Sequence, residues 1–254
     1  MYRSHLRIFT LLTVAALCAG CASVAHQADV PHIAADQSKI VFVADGAGDY
    51  RLASKNIRET VKEDKLPMDI ETFIWSHGPH HVVIDQMDSK NTQAQGVRLA
   101  ELVRETHQAY PDKEISLVGH SAGCFVVLTA AEQLPPDSIE HIVLMNPSVP
   151  ADYDLRPALK TCHCVDVHCS NADRFYLGML VGILSACKGV FTAPAGLGGF
   201  KLQPKNGDDA VLISRLHQIH WRPEFKATGN DGGHYGCYQH GYLREYILPE
   251  LLTR

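Results

Sequence analysis

A short glycine-flanked motif contains the residue of this sequence best suited to nucleophilic chemistry. Residues Gly119-His120-Ser121-Ala122-Gly123 fit the pattern G-x-S-x-G. The motif follows the apolar run 115–118 and precedes a helical pattern at 122–134, which predicts a sharp turn between a strand and a helix. Such a turn lifts the serine hydroxyl above the sheet edge, at the helix N-terminus, where the helix dipole favours developing negative charge. The pattern therefore predicts Ser121 as a nucleophile.

In this context the chain resembles the α/β-hydrolase superfamily of serine hydrolases. The resemblance extends from about Lys39 to Leu252, and the G-x-S-x-G turn is its most specific part. It implies an α/β fold, with a mostly parallel wound sheet flanked by helices and no large cap domain. It also implies that an acid and then a histidine follow the serine along the chain. Both are needed because a serine hydroxyl is a weak nucleophile until an imidazole accepts its proton and a carboxylate fixes the imidazole tautomer.

By this resemblance the acid lies in a short polar turn after the strand at 162–169. Asp173 follows Ser170-Asn171-Ala172 in that turn and is the expected acid, with a helix N-cap as its alternative role. Asp166 is the runner-up, although it falls inside the strand, below the sheet edge. Asp152 and Asp154 follow the strand at 139–145 and match an alternative acid position found in some hydrolases.

The expected base is His234, in a glycine-rich loop between the last strand and the final helix. The chain has 15 histidines, so the loop position, rather than the residue type, carries this assignment. The resemblance also implies an oxyanion hole made by the backbone N–H groups of Ala122 and Ala47. Asp45 stands where the family's oxyanion loop usually has a histidine, which leaves Gly46 as the neighbouring alternative donor.

Strands and helices alternate along the sequence, as a wound sheet requires. Short β-branched or apolar runs predict strands, and apolar residues at helical spacing predict the helices between them. This alternation indicates right-handed βαβ units and a mostly parallel sheet. The predicted strands lie at 39–44, 69–75, 114–118, 139–145, 162–169 and 212–221, and the predicted helices at 53–65, 92–110, 122–134, 175–186 and 242–252.

The composition is that of an ordinary globular chain. The 254 residues are 46% hydrophobic and 20% charged, which excludes a disordered or fibrous protein. The chain carries 23 Lys+Arg against 28 Asp+Glu, a net charge of −5 without a basic run, so nucleic acid is not an expected partner. No repeat or long linker divides the sequence, and we expect one catalytic domain over residues 38–254.

Two other functional classes are compatible with parts of the sequence. One is a catalytically inactive α/β-hydrolase fold that serves as a surface binding module. The other is a metal-binding or redox module, because residues of metal-ligand type are concentrated between 162 and 187. Paired cysteines with a single residue between them fit structural zinc sites poorly. We therefore expect no metal and no organic cofactor.

The apolar segment Phe175–Phe200 is the candidate cover of the site. The stretch Asn146–Thr161, where a cap insertion usually lies, is too short for a helical lid. Phe175–Phe200 either lines an acyl pocket or packs on the sheet; the side chains suited to such a pocket are Met179, Leu180, Ile183, Leu184, Phe191 and Leu197.

The N-terminus has the pattern of an export signal. Arg3 and Arg7 precede a short apolar stretch at 8–17, which is too short to span a bilayer comfortably. The segment 17–21 resembles a bacterial lipobox, although Cys18 stands where leucine is usual. We expect a signal peptide at 1–20, a lipidated Cys21 and a tether up to residue 37, and an envelope location in the outer membrane. A plain cleaved signal, giving a periplasmic or secreted protein, is the alternative.

Six cysteines follow the expected signal and lipidation site. An exported chain permits disulfides, and six cysteines allow fifteen pairings, among which the sequence does not choose. These residues are Cys124, Cys162, Cys164, Cys169, Cys187 and Cys237.

The predicted reaction is hydrolysis of a carboxylic ester through an acyl-enzyme. Ser121 attacks the carbonyl, His234 transfers the proton and Asp173 orients His234. Thioester, amide and acyl-transfer chemistry use the same residues, so the substrate and its acyl length stay open, as does the oligomeric state.

We expect Cys21→Ser to abolish attachment of a fatty acid while sparing the activity of the folded domain, since Cys21 lies far along the chain from Ser121. The measurement is metabolic labelling with a fatty acid followed by fractionation. A wild-type protein that takes up no label and is found wholly in the soluble exported fraction would show that the leader is an ordinary signal peptide.

Overall fold

The apolar and β-branched runs of the sequence form one parallel sheet in the computed structural model, which describes residues 30–173 and 193–253. Within these residues the sheet has six strands in the order β2-β1-β3-β4-β5-β6, and every neighbouring pair is parallel. The strands are β1 (Lys39–Ala44), β2 (Met68–Thr72), β3 (Glu114–His120), β4 (Ile139–Met145), β5 (Cys162–Cys169) and β6 (Leu216–His220).

Helices connect the strands and cover both faces of the sheet. They are α1 (Leu52–Glu63), α2 (Val82–Met87), α3 (Ser89–Ala109), α4 (Gly123–Ala131), α5 (Arg156–Leu159), α6 (Ala195–Gly198), α7 (Gly207–Ile213), α8 (His240–Tyr242) and α9 (Leu248–Leu252). A π-helical turn, Leu243–Ile247, joins α8 to α9, and 3-10 turns lie at Pro223–Thr228 and Gly236–Tyr238. None of the described helices has the length and apolar character that crossing a bilayer requires.

Side-chain alternation along the strands divides the core into two layers. Ile40 and Phe42 of β1 face the layer that contains α3 and α4, whereas Val41 and Val43 face the layer of α1 and the C-terminal helical segment. All six side chains of β1 are buried, as expected for a central strand covered on both faces. The predicted α/β class with a parallel wound sheet is confirmed.

The chain reverses its direction of winding between β1 and β3. From β1 it passes to β2 on one side, and it then returns to form β3 on the other side of β1. Loops that leave the carboxyl ends of such neighbouring strands diverge and open a crevice, which is where parallel α/β sheets bind ligands. The topology therefore predicts a ligand site between the loops that follow Ala44 and His120.

Several predicted elements differ from the observed ones. The strand predicted at 212–221 is shorter, because Asn206 caps a helix through a bond from the N–H of Asp209 and residues 207–213 are helical. The chain also packs on the domain earlier than the expected tether boundary of residue 37, since Ile33 is buried in the core. The signal peptide, Cys21 and the predicted helix 175–186 lie outside the described residues.

The turn after β3 depends on two glycines at places of very close backbone approach. A Cβ on Gly119 would lie 2.6 Å from Cα of Cys124, and a Cβ on Gly123 would lie 2.1 Å from the carbonyl oxygen of Ala44. Ser121 between them has a φ of 52°, a left-handed conformation that a non-glycine residue seldom adopts. This strained turn holds Ser121 against the carboxyl end of β1.

We expect Gly123→Ala to destabilise the protein by about 3 kcal/mol or more, because the added methyl group overlaps backbone atoms of Ala44 and Asp45 that have little freedom to move. Thermal or urea unfolding measures the effect. Gly207→Ala is the matched control, since a Cβ at Gly207 meets nothing within 4 Å and should change the stability by no more than about 1 kcal/mol. Equal stabilities of the two variants would contradict the packing described here.

Candidate active site

Ser121 lies at the crevice between β1 and β3, held by backbone hydrogen bonds on both sides. Its N–H donates to the carbonyl of Met145 at 3.0 Å, and its carbonyl accepts from the N–H groups of Cys124 and Ser148 at 3.2 and 3.1 Å. These bonds fix the left-handed backbone of the residue. The predicted nucleophile is therefore rigidly placed between strand and helix, although only 3% of its surface is exposed.

His234 and Asp173 form a buried pair at the same edge of the sheet. Nδ1 of His234 donates to Oδ2 of Asp173 at 2.6 Å. The two loops that carry them are tied together as well, because the hydroxyl of Ser170 donates to the carbonyl of Gly232 at 2.6 Å. Gly232 has a φ of 88°, and a Cβ there would lie 2.8 Å from the Trp221 ring, so the loop needs glycine at this position. The geometry assigns the N–H to Nδ1 and leaves Nε2 of His234 as the basic nitrogen.

Asn146 completes this pair, and the sequence analysis missed it. It is fully buried at the carboxyl end of β4, and its side-chain N–H donates to Oδ2 of Asp173 at 3.0 Å. Its own carbonyl oxygen accepts from the thiol of Cys237 at 2.8 Å. Asn146 also has a left-handed backbone, with a φ of 46°, which turns it towards the edge. The carboxylate is thus held by two donors rather than one.

His120 lies against His234, the predicted base, and is not itself a candidate base. Burial, together with the nearby His234 ring, lowers the pKa of His120 to about 3. The ring is therefore neutral near pH 7, and its Nε2–H donates to the backbone carbonyl of His234 at 3.0 Å. It also packs edge-on against Tyr238, with ring centroids 5.1 Å apart. The residue before the nucleophile consequently fixes the backbone of the loop that carries the base.

The expected oxyanion loop, residues 45–49, lies directly beside the nucleophile. A Cβ added to Gly46 would be 3.0 Å from Nδ1 of His120 and 3.3 Å from Cβ of Ser121, so the loop packs tightly against the serine turn. Asp45, at the position where the resemblance implies histidine, accepts from the N–H groups of Ala53 and Ser54 at the start of α1. Burial raises its pKa, and these hydrogen bonds offset part of the rise. Asp45 therefore caps the start of α1 and does not take part in the reaction itself.

Asp85 holds the other end of this loop, and its role was also missed. Its Oδ2 accepts from the N–H of Gly48 at 2.7 Å and from the hydroxyl of Ser76 at 2.6 Å. Its Oδ1 accepts from the N–H of His77 at 2.9 Å. Burial alone would raise the pKa of Asp85, but these bonds outweigh it and the pKa is lowered. An ionised carboxylate therefore anchors the loop that contains Ala47.

Ser121 and His234 border one cavity of about 570 Å³. Its walls are mainly apolar and aromatic, and the one cation among them, Arg51, is paired with Asp49 at 2.7 Å. Tyr50 and Val83 at the mouth are each about half exposed. The other apolar and aromatic lining residues are Ala47, Leu52, Ala53, Val82, Tyr235 and Tyr238.

The alternative acids lie elsewhere. Asp166 bonds with His217 and Cys164 inside the sheet, and Asp154 is paired with Arg156 on the surface. Asp152 is likewise exposed. Of the predicted acids, Asp173 is hydrogen-bonded to His234.

No disulfide joins the cysteines within the described part of the chain. Cys124, Cys162, Cys169 and Cys237 are buried as free thiols, and Cys164 is half-buried. Cys187 and most of the candidate cover lie outside the described residues. Of the side chains expected to line an acyl pocket, only Leu197 is described, and it is not part of the cavity wall.

Comparison with known proteins agrees with this architecture. The family model for the alpha/beta hydrolase fold matches residues 82–163, which include Ser121 but neither Asp173 nor His234. No curated protein matches the sequence.

Solved structures show remote likeness. A novel cutinase-like protein from Cryptococcus sp. is 12% identical, with 87% of this chain and 98% of that chain covered at a TM-score of 0.42. A lidless α/β serine hydrolase from Xanthomonas campestris is 14% identical, with 86% and 87% covered at a TM-score of 0.43. A dienelactone hydrolase-like promiscuous phosphotriesterase from metagenomic libraries is 13% identical, with 86% and 87% covered at 0.44. Likeness at this level gives neither the reaction nor the substrate.

The architecture follows from the molecule itself. Three observations agree on the fold. They are the all-parallel sheet, the strained serine turn at the point where the winding of the sheet reverses, and the family match across that turn. The chain has the α/β-hydrolase fold.

Proposed function

We propose that the protein hydrolyses carboxylic esters through an acyl-enzyme on Ser121. One observation carries this proposal: Ser121, in a strained turn, and His234, which is bonded to the buried Asp173, border the same cavity from two different loops. This is the arrangement that activates a serine hydroxyl, because the histidine accepts its proton while the aspartate holds the histidine in the required tautomer.

The reaction follows from the positions of these groups. Nε2 of His234 takes the proton as Oγ of Ser121 attacks the ester carbonyl, and the imidazolium that forms is stabilised by Asp173. The carbonyl oxygen becomes an oxyanion, which the backbone N–H groups of Ala122 and Ala47 hold. His234 then returns the proton to the leaving alcohol. Water, activated by the same histidine, releases the acid, and the cycle needs only side chains, backbone and water.

The cavity favours uncharged, apolar esters of limited size. Its walls carry valine, leucine, alanine and tyrosine side chains, and the charge of Arg51 is neutralised by Asp49. Desolvating a second charge against such walls would be costly, so we expect charged acyl groups to be poor substrates. The exposed Tyr50 and Val83 at the mouth provide a surface for the longer part of the substrate.

The location of the enzyme is a separate proposal. If Cys21 carries lipid, the catalytic domain works at a membrane surface of the cell envelope and meets esters there. This proposal rests on the leader sequence alone and does not affect the chemistry of Ser121.

Ser121→Ala should lower ester hydrolysis by about 10⁴-fold or more, because it removes only the attacking hydroxyl. A panel of chromogenic esters of graded acyl length measures the activity, and a fluorophosphonate probe measures the reactivity of the serine. The wild type should be labelled once, at Ser121. Ser214→Ala is the matched control, since Ser214 lies on the surface outside the cavity. A wild type that neither turns over esters nor accepts the probe would favour an inactive binding module.

Asp173→Asn should lower kcat by about 10⁴-fold with little loss of stability, because an amide donor on Nδ1 leaves His234 in the wrong tautomer. Asp154→Asn changes only an exposed pair with Arg156 and should keep wild-type activity. Steady-state kinetics and circular dichroism on both variants make the comparison. If the Asp154 variant were inactive and the Asp173 variant active, the acid would be the one after β4.

A further inference from the structure

A second cluster of reactive side chains lies on the sheet, separate from the Ser121 cavity. It contains His141 of β4, Cys164 and Asp166 of β5, and His217 of β6. His141 and Asp166 are buried, with 5% and 4% of their surfaces exposed. None of these four residues borders the cavity of Ser121 and His234. The proposed ester chemistry makes no use of them.

Strand register brings the four residues together. His141 is the direct neighbour of Cys164 across β4 and β5, and His217 is the direct neighbour of Asp166 across β5 and β6. Cys164 and Asp166 are two residues apart on β5, so their side chains leave the same face of the sheet. Cross-strand neighbours on one face lie close enough for their side chains to share a ligand.

The donor atoms of three of these residues are spaced as ligands of a tetrahedral ion. Sγ of Cys164 is 3.2 Å from Nδ1 of His141 and 3.3 Å from Oδ2 of Asp166. Nδ1 of His141 is 3.8 Å from Oδ2 of Asp166. Zinc–ligand bonds of about 2.0–2.3 Å at tetrahedral angles require edges of about 3.3–3.6 Å between donor atoms. Shifts of a few tenths of an ångström would therefore place all three donors around one ion.

We propose that His141, Cys164 and Asp166 bind a divalent transition-metal ion, with Zn²⁺ as the best match. A thiolate, an imidazole and a carboxylate form a ligand set of the borderline type that zinc takes in proteins. Binding replaces the thiol proton of Cys164, which leaves to solvent. Three protein ligands leave the fourth position of the ion to water.

His217 supports the site through a hydrogen bond with Asp166. Its Nδ1 lies 2.9 Å from Oδ1 of Asp166, the oxygen that is not directed at Cys164. Ligating carboxylates are held by hydrogen bonds of this kind, which orient them towards the metal. The side chain of His217 is 58% exposed, so the cluster is reached from solvent beside β6.

The ion would connect neighbouring strands of the sheet. It would bridge β4 and β5 directly and connect β6, the edge strand of the described sheet, through His217. Binding to the folded protein alone would raise its free energy of unfolding with the logarithm of the free metal concentration, once that concentration exceeds the Kd. The ion would therefore strengthen strand pairing, at a place outside the cavity of Ser121 and His234.

The first test uses the purified wild-type chain, stripped with a chelator and titrated with Co²⁺ and Zn²⁺. We expect one equivalent of either metal to bind, a thiolate-to-cobalt charge-transfer band in the near ultraviolet, and intense visible bands of tetrahedral cobalt. Zn²⁺ should displace the cobalt and raise the unfolding temperature. A wild-type protein that binds cobalt without the thiolate band, or binds no metal, would overturn the proposal whatever its esterase activity.

The second test compares variants by competition with a chromogenic chelator. Cys164→Ser and His141→Gln should each weaken Zn²⁺ binding by at least tenfold, and His217→Gln by a smaller factor. Cys169→Ser and His163→Gln are the matched controls, because they alter a thiol and an exposed imidazole of the same strand outside the cluster. Equal affinities of Cys164→Ser and Cys169→Ser would overturn the assignment. Variants that fail to fold leave the cobalt spectrum of the wild type as the deciding result.

Discussion

The buried hydrogen bond between His234 and Asp173 is the interaction on which the rest of the site depends. It joins two loops that are 61 residues apart in the chain, and it sets the tautomer of the ring. The surrounding contacts all maintain it: Ser170 ties the loops together, Asn146 holds the carboxylate, and His120 holds the backbone of the histidine. A short, charge-assisted hydrogen bond in a buried place is strong only when both partners are held in the correct orientation. Ser170, Asn146 and His120 provide this support as neutral groups, without adding charge.

The opposite wall of the site is organised by a different constraint, namely space. Gly123 lets helix α4 approach β1 closely, and Gly46 lets the loop after β1 pack against Ser121. Asp45 and Asp85 then accept hydrogen bonds from backbone N–H groups at the start of α1 and in the loop after β1. Left-handed backbones occur at Arg51 and Ser121, which border the cavity, and at Asp49 and Asn146, which bond with Arg51 and Asp173. Strain is concentrated where the reacting groups must be placed, and the sheet beneath supports it.

Much of this arrangement could be predicted from the sequence because its signals are local. The serine turn is recognised from the residues on either side of it, and five of the six strands were found near their observed positions. Strand β6 was predicted too long because residues 207–213, which follow the helix cap Asn206, are helical and take up the start of the predicted strand. Asn146, Asp85 and His120 were missed as supporting residues because their partners come from distant segments, and no spacing along the chain records such contacts.

The cluster at Cys164 illustrates the same limit. Linear spacing between cysteines argues against zinc, and that argument holds for sites built from one hairpin or loop. In a parallel sheet the neighbours of a residue belong to other strands, so His141 and Cys164 become adjacent although 23 residues separate them. Ligand spacing in such a site is a property of the sheet register, which becomes visible only when the strand order is known.

Deep placement of the free thiols also determines how this protein meets oxidants. Burial raises the pKa of Cys162 to about 12 and that of Cys169 to about 11, and it raises those of Cys124 and Cys237 as well. The thiolate is the species that attacks peroxides and disulfides, and at neutral pH its fraction at these four positions is very small. The fold itself therefore keeps these sulfurs reduced, and an oxidising compartment would have to open the core before it could change them.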